Sequence, residues 1–90
     1  MLKHYNITVT GKVQGVWYRK NTLEKAKELH ITGHVKNLSN GNVYIEAEGN
    51  HDQLTSFIAW CTLGPEFAKV DDVSFEEGDI RPFKCFEIIY

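Results

Sequence analysis

Polar and apolar positions alternate early in the chain. Tyr5, Ile7 and Val9 share one face between Asn6, Thr8 and Thr10, which predicts a half-buried strand over residues 5–10. Gly11 and Gly15, two glycines within five residues, mark a loop. Over residues 18–30 the spacing changes to threes and fours, through Leu23, Ala26 and Leu29 or His30, and predicts a helix that Gly33 punctuates. Two strands follow, over 34–38 and 42–48, around Ser39-Asn40-Gly41, where Asn-Gly is a strong hairpin signal. In the second of them Val43, Ile45 and Ala47 face one way, and Tyr44, Glu46 and Glu48 the other.

The second helix is marked at both ends. Asn50 is a good N-cap, Gln53 three residues later completes a capping box, and Asp52 suits the positive end of the helix. Leu54, Phe57, Ile58 and Cys61 fall at i, i+3, i+4 and i+7, an apolar stripe that Gly64-Pro65 stops. Strand-like runs over 68–76 and 83–90 close the chain, separated by a loop with Gly78-Asp79 and Arg81-Pro82. The order is β-α-β-β-α-β plus a final strand. It predicts an α+β fold of the split βαβ type, one domain over residues 1–90, with two helices on one face of an antiparallel sheet. Such a fold hosts many functions and decides nothing about chemistry.

Composition narrows the classes. With 42% apolar and 12% aromatic residues in 90, the chain has material for a core. Ten Lys plus Arg against 12 Asp plus Glu give a net charge of −2, which argues against a nucleic-acid partner held through phosphate charge. There is no aromatic pair with basic flanks of the kind that RNA-binding modules of similar layout carry. No apolar run approaches the roughly 20 residues of a membrane span, and the start lacks a signal-peptide core, so no membrane partner and a cytoplasmic location are expected. Cys61 and Cys85 are too few for a disulfide scaffold and read as small core residues in a reducing compartment. His4, His30, His34 and His51 stand apart, and no cluster has metal-ligand spacing, so no metal is expected. Asp71-Asp72 reads as solvated strand charge.

The positive signal is the segment Gly11-Lys12-Val13-Gln14-Gly15-Val16-Trp17-Tyr18-Arg19, which joins a strand to a helix. Glycines there let successive backbone N–H groups point inward as an anion nest at a helix N-terminus. Arg19 and Lys20 fall in the first turn, where positive charge opposes the macrodipole at about 0.3–1 kcal/mol each. A bound anion would remove that conflict. The segment alone also admits a plain glycine-rich connection with solvated basic residues, and it is not a Walker motif. Asn37 places an amide on the face of Val35, where an apolar residue would continue the pattern, although Asn also favours hairpin turns.

Together these segments carry a resemblance. Val9-x-Gly11-x-Val13-Gln14-Gly15-Val16-x-Tyr18-Arg19 matches the first signature of the acylphosphatases, with Tyr18 in place of the usual Phe. Gly33-x-Val35-Lys36-Asn37-x-x-x-Gly41-x-Val43, followed by Gly49, matches the second, with His34 in place of the usual aromatic residue. Thr22, Ala26, Gly64-Pro65, Ala68 and Val70 also fit, so the resemblance spans nearly the whole chain.

The resemblance implies a ferredoxin-like fold and hydrolysis of carboxyl-phosphate anhydrides to a carboxylate and inorganic phosphate. It implies catalytic roles for Arg19 and Asn37, phosphate binding by the backbone of Gly15, Val16, Trp17, Tyr18 and Arg19, and support from Gly11, Val13 and Gln14. Arg19 would hold the phosphoryl oxygens and Asn37 would orient the attacking water. No cofactor is implied. The expected partners are an acyl phosphate, with inorganic phosphate or sulfate as a ligand of the same site, and a monomer is expected. The competing reading is a catalytically silent anion-binding module of the same fold.

Overall fold

The computed structural model describes residues 1–90 and contains seven elements: β1 (Lys3–Lys12), α1 (Tyr18–Glu28), β2 (Thr32–Asn37), β3 (Val43–Gly49), α2 (His51–Leu63), β4 (Lys69–Gly78) and β5 (Phe86–Ile89). The strands form one sheet in the order β4-β1-β3-β2-β5. Ile7, Val9, Val35, Val43, Ile45 and Ala47 are fully buried and meet Ala26 of α1 and Leu54, Phe57 and Cys61 of α2 in one core. The period-2 face and the helical stripe read from the sequence are the two sides of this core.

Several expectations change in detail. The sheet is mixed rather than antiparallel, because β5 pairs in parallel with β2, Gly33 opposite Phe86 and Lys36 opposite Ile89. Gly11 and Lys12 belong to β1 instead of a loop: pairing with β4 continues past a register shift between Thr10 and Gly11. Helix α1 stops at Glu28, and left-handed His30 (φ 59°) turns the chain, whereas Gly33 lies inside β2. Gly33 serves close packing there, since a Cβ would collide with the Glu46 carbonyl of β3. Cys85 is exposed and only Cys61 is a core residue. Asp71 and Asp72 are exposed on β4, as solvated strand charges should be.

The face of the sheet away from the helices is not fully solvated. Glu46 and Glu48 alternate outward, yet they are only 8% and 2% exposed. The connection from β4 to β5 crosses this face. The Arg81 backbone N–H donates to Glu48 Oε2, and the Phe83 ring stacks on His4 and meets His34 edge-on. His4 is buried between acceptors, with Nδ1 2.8 Å from Glu48 Oε2 and Nε2 2.8 Å from Asn6 Oδ1 and 3.2 Å from Glu46 Oε1. Two carboxylates can leave water here because histidine and arginine groups surround them. His34 keeps an aromatic contact with Phe83 while its Nε2 lies 3.3 Å from Glu46 Oε2, which accounts for an imidazole where the family has an aromatic ring.

Candidate active site

The link between β1 and α1 is anchored by its apolar residues. Val13 and Val16 are buried in the core, while Gly15 between them is exposed. Gly15 (φ 72°) and Trp17 (φ 65°, ψ 17°) both take left-handed backbone, and Tyr18 begins the helix. A left-handed residue followed by a right-handed one turns successive N–H groups toward a common point, which makes a concavity for an anion. The first N–H groups of α1 have no acceptor within the helix, and Trp17 supplies no side-chain cap. For a bulky residue this conformation is strained by about 1–3 kcal/mol. It is held by the Trp17 carbonyl, which accepts from the Asn21 backbone N–H at 3.0 Å and from Asn21 Nδ2 at 2.9 Å.

Gln14 ties this loop to the β2–β3 hairpin. Its Nε2 donates to the Leu38 and Asn42 carbonyls, both at 2.8 Å, directly beyond Asn37. Asn37 ends β2 on the core side of the sheet, as the alternation with Val35 requires. Its Oδ1 is buried without a hydrogen-bond partner, an arrangement rare enough in folded proteins to call for a reason.

Both groups open onto one cavity of about 420 Å3. Val13, Gly15, Trp17, Tyr18 and Arg19 line one side, with Lys20 beside them, and Asn37 lines the other. The structure therefore brings together the two residues with expected catalytic roles and most of the expected phosphate-binding segment. Gln14 acts from outside as the bridge, Val16 packs inward, and Gly11 sits back in β1. Two lining residues were missed by sequence reasoning: Ile88 and Tyr90, which the parallel strand β5 brings up beside β2. Only the β2–β5 pairing could have revealed them. The Arg19 guanidinium carbon lies 5.0 Å from the centroid of the Tyr90 ring, a cation–π arrangement.

Tyr18, the departure from Phe, is explained by its surroundings. Its hydroxyl donates to the Cys61 carbonyl at 2.9 Å, and the ring packs 5.5 Å from that of Trp60. Burial, and the Cys61 group beside it, push the phenol far above its ordinary range. Burial likewise pushes the Cys61 thiol up to about 12. The Tyr18 hydroxyl is thus engaged with α2. No group of three or more His, Cys, Asp or Glu side chains is placed to hold a metal ion. No helix is long and apolar enough to cross a membrane.

Comparison with known proteins identifies the scaffold. The acylphosphatase family model matches residues 5–88. An acylphosphatase from Marinobacter nauticus is 49% identical over 76 residues, covering 84% of this chain and 83% of the relative. The structure of an acylphosphatase from Coxiella burnetii superposes with a TM-score of 0.95 at 39% identity, covering 98% of this chain and 93% of that one. That of an acylphosphatase from Bacillus subtilis superposes equally well, at 0.95 and 38% identity, over 100% of both chains. A strand–helix connection with an arginine, sharing a cavity with an unpartnered amide, is thus found on a scaffold that matches those enzymes over nearly its whole length, and the chain belongs to the acylphosphatase family, whose reaction is the hydrolysis of acyl phosphates.

Proposed function

We propose that Arg19 and the backbone N–H groups of residues 15–19 hold the phosphoryl group of an acyl phosphate, while Asn37 orients the water that attacks it. The observation that carries this reading is the buried, unpartnered Oδ1 of Asn37 in the same cavity as Arg19. An empty acceptor there can take a hydrogen bond from water and aim its lone pair at phosphorus. Water attacks phosphorus, the bond from phosphorus to the acyl oxygen breaks, and a carboxylate leaves with the electron pair. The leaving group needs no strong general acid, since the conjugate acid of a carboxylate has a pKa near ~4. The proton of the attacking water passes to a phosphoryl oxygen, so the products are a carboxylate and dihydrogen phosphate. Phosphoryl transfer depends mainly on positioning and charge stabilisation, which an arginine, a nest and one amide supply. Phosphate monoesters have poorer leaving groups, and this equipment does not suit them.

The working unit in this reading is a single-domain monomer in the cytoplasm. The test is phosphate release from acetyl phosphate with and without exhaustive chelation. Equal release in both arms is expected, because the Arg19 charge takes the part a cation plays elsewhere. Activity lost on chelation and restored by one divalent ion would overturn the mechanism. Tight phosphate binding without any release would make the chain a silent anion-binding module.

A further inference from the structure

Titratable groups that the proposed chemistry leaves unused gather on the sheet face away from the helices. His4 and Glu48 are each 2% exposed there, under residues 79–85, which cross from β4 to β5 without regular structure. We infer that this segment is a proton-controlled strap. It lies closed while His4 carries a proton on both ring nitrogens, and it lifts when one of those protons is lost.

A neutral imidazole donates from one nitrogen and accepts at the other. Both nitrogens of His4 meet acceptors: Glu48 Oε2 lies 2.8 Å from Nδ1, while Asn6 Oδ1 and Glu46 Oε1 lie 2.8 Å and 3.2 Å from Nε2. Only the imidazolium satisfies them all. β4 offers the ring no polar partner, because the residue beside His4 Cδ2 is Gly78. His34 of β2 and the largely exposed Arg81 guanidinium of the strap both turn to Glu46, at 3.3 Å and 3.9 Å. Glu48 is left with His4 and the Arg81 backbone N–H. Farther out, the same face adds Glu76 opposite Asn6 and Glu87 opposite His34, while Lys36 turns to the Tyr44 ring. No other cation is at hand for Glu48.

Loss of the His4 proton therefore sets a ring lone pair against a buried carboxylate, a conflict that entering water relieves. Water has its easiest entry beneath the strap. β1 and β3 are held by a continuous ladder from Lys3 opposite Gly49 to Val9 opposite Val43. Over residues 79–84, by contrast, one hydrogen bond joins the strap to the sheet, from the Arg81 N–H to Glu48, and Phe83 rests on the rings of His4 and His34. The carboxylate under Arg81 and a ring under Phe83 are the very groups that change. The strap runs on into β5, where the Gly33 N–H donates to the Cys85 carbonyl at 3.0 Å, and β5 brings Ile88 and Tyr90 to the cavity. A proton on one buried ring thus reaches the cavity wall from the opposite face of the sheet.

The test is an NMR titration of the wild type over about pH 5–9, where ordinary carboxylates are already ionised and lysines still charged. Ring-nitrogen signals report the protons on His4, amide exchange reports the hold on Arg81 and Gly33, and the Ile88 methyl signals report the seating of β5. His4 should show two ring N–H groups at the acid end. As pH rises through the His4 step, protection of the Arg81 amide, corrected for the intrinsic rise of exchange, should fall about tenfold or more. Gly33 protection and the Ile88 signals should change with the same midpoint. His4→Gln, which stays uncharged, should abolish that step, and the wild-type titration stands by itself should the variant fail to fold. Three results would overturn the inference: a His4 ring that changes protonation nowhere in the range, strap protection that stays flat through the His4 step or follows the His34 ring instead, and a step that survives in His4→Gln.

Discussion

The two helices begin in opposite ways. At α2, Asn50 takes extended backbone, its Oδ1 accepts from the Gln53 N–H at 2.8 Å, and Gln53 Oε1 accepts in return from the Asn50 N–H at 2.8 Å. Asp52 adds negative charge in the first turn. At α1 the cap residue is a left-handed tryptophan without a capping bond, no acid lies in the first turn, and Arg19 and Lys20 lie there instead. One chain thus contains a helix start completed by its own side chains and another left electrostatically open. In the function proposed above, the open end is completed from outside: a phosphoryl group would supply at α1 what Asn50, Gln53 and Asp52 supply at α2.

The contrast can be broken most severely at Arg19. Arg19→Gln should lower kcat/KM for acyl phosphates by about 10³-fold or more and remove inhibition by inorganic phosphate. Arg19→Lys should also be poor, because a point charge does not replace a planar two-pronged donor. Asn37→Ala comes next: kcat should fall by about 10²–10³ while inhibition by phosphate is kept, since the role proposed for Asn37 is to orient the water. Equal weakening of phosphate inhibition in both variants would show that the roles are not divided.

Smaller effects sharpen the comparison in stability. Phosphate at 100 times its dissociation constant should stabilise the wild type by about 2.7 kcal/mol, a Tm rise of roughly 4–8 °C per kcal/mol for a domain of this size. Sulfate and phosphate also stabilise folds generally by exclusion, so the saturable part is the one to compare. It should vanish in Arg19→Gln and persist in Asn50→Ala. Asn50→Ala should itself cost about 1 kcal/mol, equally with and without phosphate, as read from thermal melts. Last, Lys20→Gln should stabilise the anion-free protein by about 0.3–1 kcal/mol and weaken phosphate binding, because it removes a cation from the positive helix end. A Tm that drops in phosphate-free buffer would show that Lys20 is satisfied within the fold.

What could be read in advance follows the range of the interactions. The α2 start and the stripe through Leu54, Phe57 and Cys61 are local patterns, and they stand as read. Arg19 and Asn37 each interrupt a local rule, a cation at a positive helix end and an amide on an apolar strand face, but only the resemblance of both segments to the acylphosphatases joined them into one site, and the structure places both at one cavity. The strand character of Gly11 and Lys12 was hidden, because glycines signal a loop unless the partner β4 is known. Alternation placed Glu46 and Glu48 outward correctly, yet their burial depends on a crossing segment more than thirty positions away in sequence. Ile88 and Tyr90 join the cavity through a parallel pairing that leaves no local trace.

That parallel pairing also sets the order in which the molecule becomes competent. The helices need only neighbouring residues and form on the microsecond scale or faster. Strand β5 must find β2 by joining positions 33 and 86, and such distant pairings carry a loop-closure entropy that local contacts escape. Arg19 sits on a helix closed by neighbouring residues, whereas Ile88 and Tyr90 come beside it only through that distant pairing. Until it closes, the chain has one side of the cavity around Arg19 without the other that Ile88 and Tyr90 complete.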